Sequence, residues 1–169
     1  MVKLRDDLVT VFDIDGVFTA GGFYSTKEGK FLKKFGPDDW DCVKELSKYM
    51  KVQCITADKK GFEIVRKRFE DEMGFNLDIV PHTPKERWNW IKNTYPDKKV
   101  ICVMDGCYDY YTLSECFYAI VPMDSLEHVK NEANIVINRV GGHRFVAEAC
   151  IHILDKFCEI DMENFGLDD

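Results

Sequence analysis

Apolar positions along the chain come in short solid runs and in helical stripes, and the two kinds alternate. The first solid run, Leu8-Val9-Thr10-Val11-Phe12, stops at Asp13-Ile14-Asp15-Gly16. An unbroken apolar, β-branched run of this length reads as a buried strand feeding a tight loop. Similar runs recur at residues 52–55, 77–80, 99–104, 118–121 and 133–137. Between them lie helical patterns. Trp40, Val43, Leu46 and Tyr49 recur at helical spacing and predict a helix over 39–50, started by Pro37-Asp38-Asp39. A second helix is expected over 59–73, closed by Gly74, and a third over 83–93, with Pro84 in its first turn. Shorter helices are expected at 110–116 and after Pro122-Met123-Asp124-Ser125, and a last one at 145–157. Two aromatic-rich segments around the polar turn Thr26-Lys27-Glu28-Gly29-Lys30 predict a β-hairpin within 17–35 that hangs over the first loop as a flap. Strands alternating with helices predict an α/β fold: a Rossmann-like three-layer sandwich with a central parallel sheet.

Composition narrows the setting. The chain has 169 residues, 46% hydrophobic and 31% charged, with a formal charge of -7. No basic tract is present, which argues against a nucleic-acid or anionic-membrane binder. No apolar run is long enough to span a bilayer. The first residues lack the apolar core of a signal peptide, so a cytoplasmic protein is expected. The seven cysteines are scattered without a CxxC pair, which reads as free thiols in a reducing compartment. No linker or repeat interrupts the pattern, so residues 1–158 are expected to form one domain, followed by an acidic, pattern-poor tail at 159–169.

The strand ends carry the candidate chemistry. In an open parallel sheet, ligands bind beyond the carboxyl ends of the strands. Asp13 and Asp15 follow the first strand, Thr56 the second, Lys85 the third, and Asp105 and Asp109 the fourth. Singly, each has a plain structural reading: Thr56 as a helix cap, Lys85 as one of many lysines, Asp105 as a turn residue. Together they suit phosphoryl transfer. One carboxylate attacks phosphorus, a second moves a proton, a metal held by carboxylates neutralises charge, and a hydroxyl and a cation hold the remaining oxygens.

These residues, in this order, resemble the four motifs of the haloacid dehalogenase superfamily: Asp13-Ile14-Asp15-Gly16-Val17, Thr56, Lys85, and Asp105 with Asp109. The resemblance spans residues 8 to about 122 and implies a Mg2+-dependent phosphatase. It assigns Asp13 as nucleophile, Asp15 as acid/base, Thr56 and Lys85 as phosphate ligands, and Asp105 as a metal ligand. Asp13 and Asp15, the latter through its backbone carbonyl, complete that metal site, and Asp109 orders a metal-bound water or Lys85. Residues 16–55 and 86–104 leave no room for a cap domain. The stretch 13–39, with Gly16-Val17-Phe18-Thr19, Lys33-Lys34-Phe35 and Asp39, and the later Gly141-Gly142-His143 with Glu148, are similar to the capless 3-deoxy-manno-octulosonate 8-phosphate phosphatases. That group implies a homotetramer with central hairpins and a sugar phosphate substrate such as a keto-sugar acid phosphate.

The chain departs from this group at several positions. Ala57-Asp58 stand where Gly-Arg is usual, Met104 and Gly106 replace Gly and Asp, Trp40 replaces a Gly, and Ala147 replaces an Arg. Ala57 remains a candidate substrate contact, and Arg144 is a candidate replacement for the lost cation. His143 could approach a neighbouring subunit's site. Trp88 and Trp90 are assigned to packing, and His82 and His128 to surface or capping positions. The departures also support a second reading, a catalytically weak oligomeric module that regulates or scaffolds a nucleotide-sugar enzyme. A phosphomutase would need a cap, and a receiver domain would separate its acidic pair from its phosphoacceptor.

Overall fold

In the computed structural model, which describes residues 4–160, 163, 165 and 166, eight strands and six helices alternate as the pattern predicts. Strand β1 (Leu8–Asp13) is buried along its whole length. It pairs in parallel with β4 (Lys51–Thr56) on one side and β6 (Lys99–Val103) on the other. Strands β5 (Leu77–Ile79), β7 (Tyr118–Pro122) and β8 (Ile135–Ile137) complete a six-stranded parallel sheet in the order β5-β4-β1-β6-β7-β8.

Alternation along β1 divides the core. Leu8 and Phe12 face one layer, packed with Leu46, Phe145 and Ile153 from α1 (Asp39–Ser47) and α6 (Phe145–Ile153). Val9 and Val11 face the other, with Ile91 from α3 (Pro84–Thr94) and Leu113 from α4 (Tyr110–Glu115). This is the expected three-layer arrangement. Full burial of one such side chain stabilises the fold by roughly 1.5–3 kcal/mol, so the central strand is firmly held.

The hairpin forms from β2 (Tyr24–Thr26) and β3 (Gly29–Leu32), and a bridge between Thr19 and Phe35 closes its base. Only this hairpin and α1 lie between β1 and β4, and no cap domain is inserted among the described residues. Helix α2 (Phe62–Arg66) starts later than its stripe suggests. Asp58 Oδ1 accepts the Gly61 N–H at 3.1 Å and holds residues 58–61 in a turn. The helix then widens into a π-helical stretch, Lys67–Glu72, and stops at Gly74, whose φ of 72 suits glycine. Helix α5 (Glu127–Lys130) is one turn, and α6 also ends in π-helical residues, Leu154–Cys158. No helix among the described residues is long and apolar enough to cross a membrane. Of the tail, residues 161, 162, 164 and 167–169 lie outside the described residues.

Candidate active site

Asp13 ends the central strand, so the sheet itself carries its carboxylate to the carboxyl edge. The next residues turn tightly: the N–H groups of Val17, Phe18 and Thr19 all reach the Ile14 carbonyl, at 3.0–3.3 Å. Gly16 sits in this turn with φ 85, and a Cβ there would lie 1.8 Å from Asp105 Oδ2. Only glycine lets Asp105, which follows β6, approach the loop after β1. Behind this loop, the Gly142 N–H donates to the Val17 carbonyl at 2.9 Å. A Cβ on Gly141 would lie 1.9 Å from the Gly16 carbonyl oxygen, so the late Gly-Gly pair backs the first loop directly.

Asp13, Asp105 and Asp109 each place a carboxylate oxygen within 4.8 Å of the others. Burial pushes the Asp13 carboxyl well up, and Asp109, Asp105 and Asp15 add to this against the opposing pull of Arg87. Asp105 is pushed up to about 8, mainly by burial and then by Asp109. Its Oδ1 is buried without a hydrogen-bond partner. Three crowded carboxylates with one orphaned oxygen fit a hard divalent cation, which satisfies oxygen ligands and neutralises their repulsion. Asp109 is also held from within the chain, its Oδ2 accepting the Gly106 N–H at 2.8 Å. A Cβ on residue 106 would come 2.9 Å from that same Oδ2, so glycine at 106 gives Asp109 its place.

The carboxylate of Asp15 points elsewhere. Both its oxygens accept from Lys33 Nζ, at 2.7 and 2.8 Å. The Asp15 side chain is thus engaged by a lysine of the hairpin segment, its expected metal contact being the backbone carbonyl, and Asp109 stands with the expected Asp13 and Asp105 in the carboxylate cluster. Lys33 Nζ also donates to Asp58 Oδ2 at 2.8 Å, and Lys30 Nζ reaches that same oxygen at 2.7 Å. Burial would raise the Asp58 carboxyl, but hydrogen bonds from Lys30 and Lys33 bring it down to about 2. Burial likewise opposes the charge on Lys33, and its bonds to Asp15 and Asp58 outweigh it.

Thr56 ends β4 fully buried, its Oγ1 accepting the Asp58 N–H at 3.0 Å. The hydroxyl hydrogen stays available to a ligand. Lys85 does not join the group. It is exposed on α3, its Nζ 5.8 Å from the centre of the Tyr111 ring. The cation facing the carboxylates is Arg87, two residues on, which is buried and ion-paired through Nη1 with Asp109 Oδ1. Two residues turn a helix by about 200°, so Lys85 and Arg87 lie on opposite sides.

A cavity of about 460 Å³ gathers these groups. Asp13, Asp15, Thr56, Ala57, Asp58, Lys30, Arg87 and Asp109 line it, with His82, Cys107 and Tyr108. His82, exposed as expected, meets Tyr108 edge to face at 5.0 Å and also forms part of the cavity wall. Arg144 is absent from this lining. It bonds Asp38 Oδ2 at 2.5 Å on the surface, while His143 Nδ1 lies 3.0 Å from the Gly141 carbonyl oxygen. Trp40 packs edge to face on Phe75.

The sequence offers the hairpin lysines only as a group, as positive charge suited to an anionic substrate or as edge protection, with Lys33 in the Lys33-Lys34-Phe35 run, and it does not single out Arg87. For Arg87 a signal existed: Ile91, the helix's one aliphatic residue, lies four positions later on the same face.

The sequence matches no family model and no curated protein. Solved structures share its fold. The cobalt-bound deoxy-D-mannose-octulosonate 8-phosphate phosphatase of Haemophilus influenzae superposes with a TM-score of 0.78 at 21% identity, over 89% of this chain and 88% of that one. The 3-deoxy-D-manno-octulosonate 8-phosphate phosphatase of Moraxella catarrhalis, in complex with magnesium, phosphate and the sugar acid KDO, gives 0.77 at 18% identity, over 96% and 91%. The Yersinia pestis enzyme of the same name gives 0.72 at 21%, over 89% and 81%.

Proposed function

We propose that this chain, through one domain over residues 1–158, is a Mg2+-dependent phosphatase that hydrolyses a small sugar phosphate through an aspartyl-phosphate on Asp13. A keto-sugar acid phosphate is the leading candidate substrate. The observation that carries this reading is the convergence of Asp13, Asp105 and Asp109 at the ends of β1 and β6, beside an acid/base candidate, Asp15, fixed by Lys33.

The residues divide the work as follows. An Asp13 oxygen attacks phosphorus and the bond to the sugar oxygen breaks, while Asp15 gives that oxygen its proton. Water then attacks the aspartyl-phosphate and Asp15 takes the proton back, returning Asp13 and releasing inorganic phosphate. The Thr56 hydroxyl and the Arg87 guanidinium bind phosphoryl oxygens, with Arg87 in the place the sequence offers to Lys85. Asp13, Asp105 and Asp109 would hold Mg2+, which supplies charge neutralisation at the phosphoryl group when bound.

The charge reversal at Asp58 motivates the alternative of a non-catalytic scaffold. Its carboxylate is occupied by Lys30, Lys33 and Gly61, so it does not speak against catalysis. Exposed Phe23, Tyr24, Phe31 and Leu32 on the hairpin support a homo-oligomer, with a tetramer as the resemblance implies. The cysteines, all free thiols, support a reducing, cytoplasmic setting.

Phosphate release from a panel of sugar phosphates, with and without Mg2+, tests the reading. Turnover that requires Mg2+ and disappears in Asp13→Asn is expected; a folded protein that binds Mg2+ and turns over none of the panel would sink it.

A further inference from the structure

Four charges form an alternating row along one side of the cavity: Asp15, Lys33, Asp58 and Lys30. Their links are 2.7–2.8 Å long. The inner members are fully committed. The buried Lys33 ammonium has three acceptor oxygens for its three hydrogens, and Asp58 accepts from two ammoniums and a backbone N–H.

Lys30 is the end of the row and differs from the others. Among the described residues its Nζ has one carboxylate partner, Asp58. The Phe23 ring, 4.1 Å from Nζ to the ring centre, fixes a second side of the ammonium. The side chain is 20% exposed and lines the cavity. A positioned ammonium with a donor to spare therefore stands at one edge of the cavity. Asp13, Asp109 and Arg87 line the same cavity.

We propose that Lys30 is a specificity-determining residue that recognises a second anionic group, of the carboxylate class, on a phosphomonoester whose phosphate is seated at Asp13. The inference rests on the phosphatase reading for the placement of that phosphate. Three observations support it. The other basic groups around the cavity are already assigned: Arg87, paired with Asp109, to the phosphoryl group, and Lys33 to Asp15 and Asp58. The row turns a loop that carries an acid, Asp58, into a seat for a cation delivered by the hairpin. A cavity of about 460 Å³ that both Lys30 and Asp13 line is within the range that encloses a small ligand.

The test uses a matched pair of probes, 6-phosphogluconate and sorbitol 6-phosphate, which differ by a carboxylate against a CH2OH at the end remote from phosphate. Binding is measured by calorimetry with Mg2+ in the Asp13→Asn protein, so that turnover plays no part. The Lys30 protein is expected to prefer 6-phosphogluconate. Lys30→Met should weaken 6-phosphogluconate about tenfold, as the loss of one charge-assisted hydrogen bond implies, and leave sorbitol 6-phosphate unchanged. Lys30→Arg should keep the preference. Equal loss of both probes in Lys30→Met would make Lys30 merely structural and overturn the inference. So would no loss, or no binding of 6-phosphogluconate by the Lys30 protein. The turnover assay is a separate arm: discrimination in binding without Mg2+-dependent phosphate release from Asp13-intact protein would overturn the phosphatase reading alone.

Discussion

The Arg87 guanidinium is ion-paired with Asp109 Oδ1 where neither side chain is more than slightly exposed. Arg87 comes from the first turns of α3 and Asp109 from the turn before α4, so the pair ties two helices on one face of the sheet to the cluster at the end of β1. Breaking a buried pair by removing one partner leaves an uncompensated charge and costs about 3–5 kcal/mol. Arg87→Ala is therefore expected to lower the melting temperature strongly and to abolish phosphate release. Lys85→Ala should change stability by less than about 0.5 kcal/mol and leave turnover near the parent level. Thermal melts and initial rates on the two variants check this, and the reverse ranking would return the cationic role to Lys85.

Gly16 gives a second prediction. Its φ of 85 disfavours a side chain, and an added methyl would overlap Asp105 Oδ2. Gly16→Ala should destabilise the protein by roughly 1–3 kcal/mol from backbone strain and displace Asp105. The readout is the rise in melting temperature on adding Mg2+, which should be large in the parent and nearly absent in the variant.

Protons and a divalent cation compete for the carboxylate triad. Asp105 titrates at about 8 in the fold, against 3.8 as a free side chain, chiefly because it is buried. A raised carboxyl holds its proton in the folded state, so without metal its contribution to stability falls as pH rises from about 4 to about 8. Mg2+ needs the deprotonated form, so its affinity should rise with pH across the upper part of that window. Mg2+ at a hundred times its dissociation constant adds about 2.7 kcal/mol, roughly 5–11 °C for a chain of this size. Melts with and without Mg2+ at pH 6 and pH 8 should show the larger shift at pH 8, and equal shifts would refute the competition.

Asp39 supplies a test remote from the triad. It is buried at the start of α1, with Oδ1 accepting the Ala147 N–H at 2.9 Å and Oδ2 without a hydrogen-bond partner. Burial pushes it up to about 6, opposed by that backbone bond. The protonated form is favoured on folding, so stability should fall by on the order of 2–3 kcal/mol between about pH 4 and pH 6. Asp39→Asn keeps an oxygen for Ala147 and carries no charge, so its denaturation midpoint should lose this slope. An unchanged slope would place the titration elsewhere.

Much of this architecture was legible in the sequence because the sheet is buried on both faces. A solid run such as Leu8–Phe12 admits few other readings, and the acids that end it stand out against it. Asp13, Thr56, Asp105 and Asp109 are carried by strand ends or the turns just after them, so strand order alone brings them together. Arg87 and Lys85 are two residues apart on a helix, and which one faces inward depends on helix phase, fixed by Ile91 in the core. Lys30 and Lys33 were harder still. A lysine on a hairpin usually guards a sheet edge. Only the fold of residues 17–35 against the loop at Asp58 reveals them as cavity and site-edge groups.

The contact of Gly141 and Gly142 with the loop at Gly16–Ala20 sets the order in which the site can be completed. The central strand and its acids leave the ribosome early, but the backbone that backs their loop is made more than 100 residues later. A nascent chain can pair β1 with β4 and β6 before that point, although the layer over Phe12 still lacks Phe145 and Ile153 of α6. The bond from the Gly142 N–H to the Val17 carbonyl can form only after that point, so the loop between Asp13 and Thr19 first has its own turn bonds and gains its backing last. Completion of the loop after β1 is thus a late event in synthesis, and a chain truncated before residue 141 would hold the acids without the backbone that backs them.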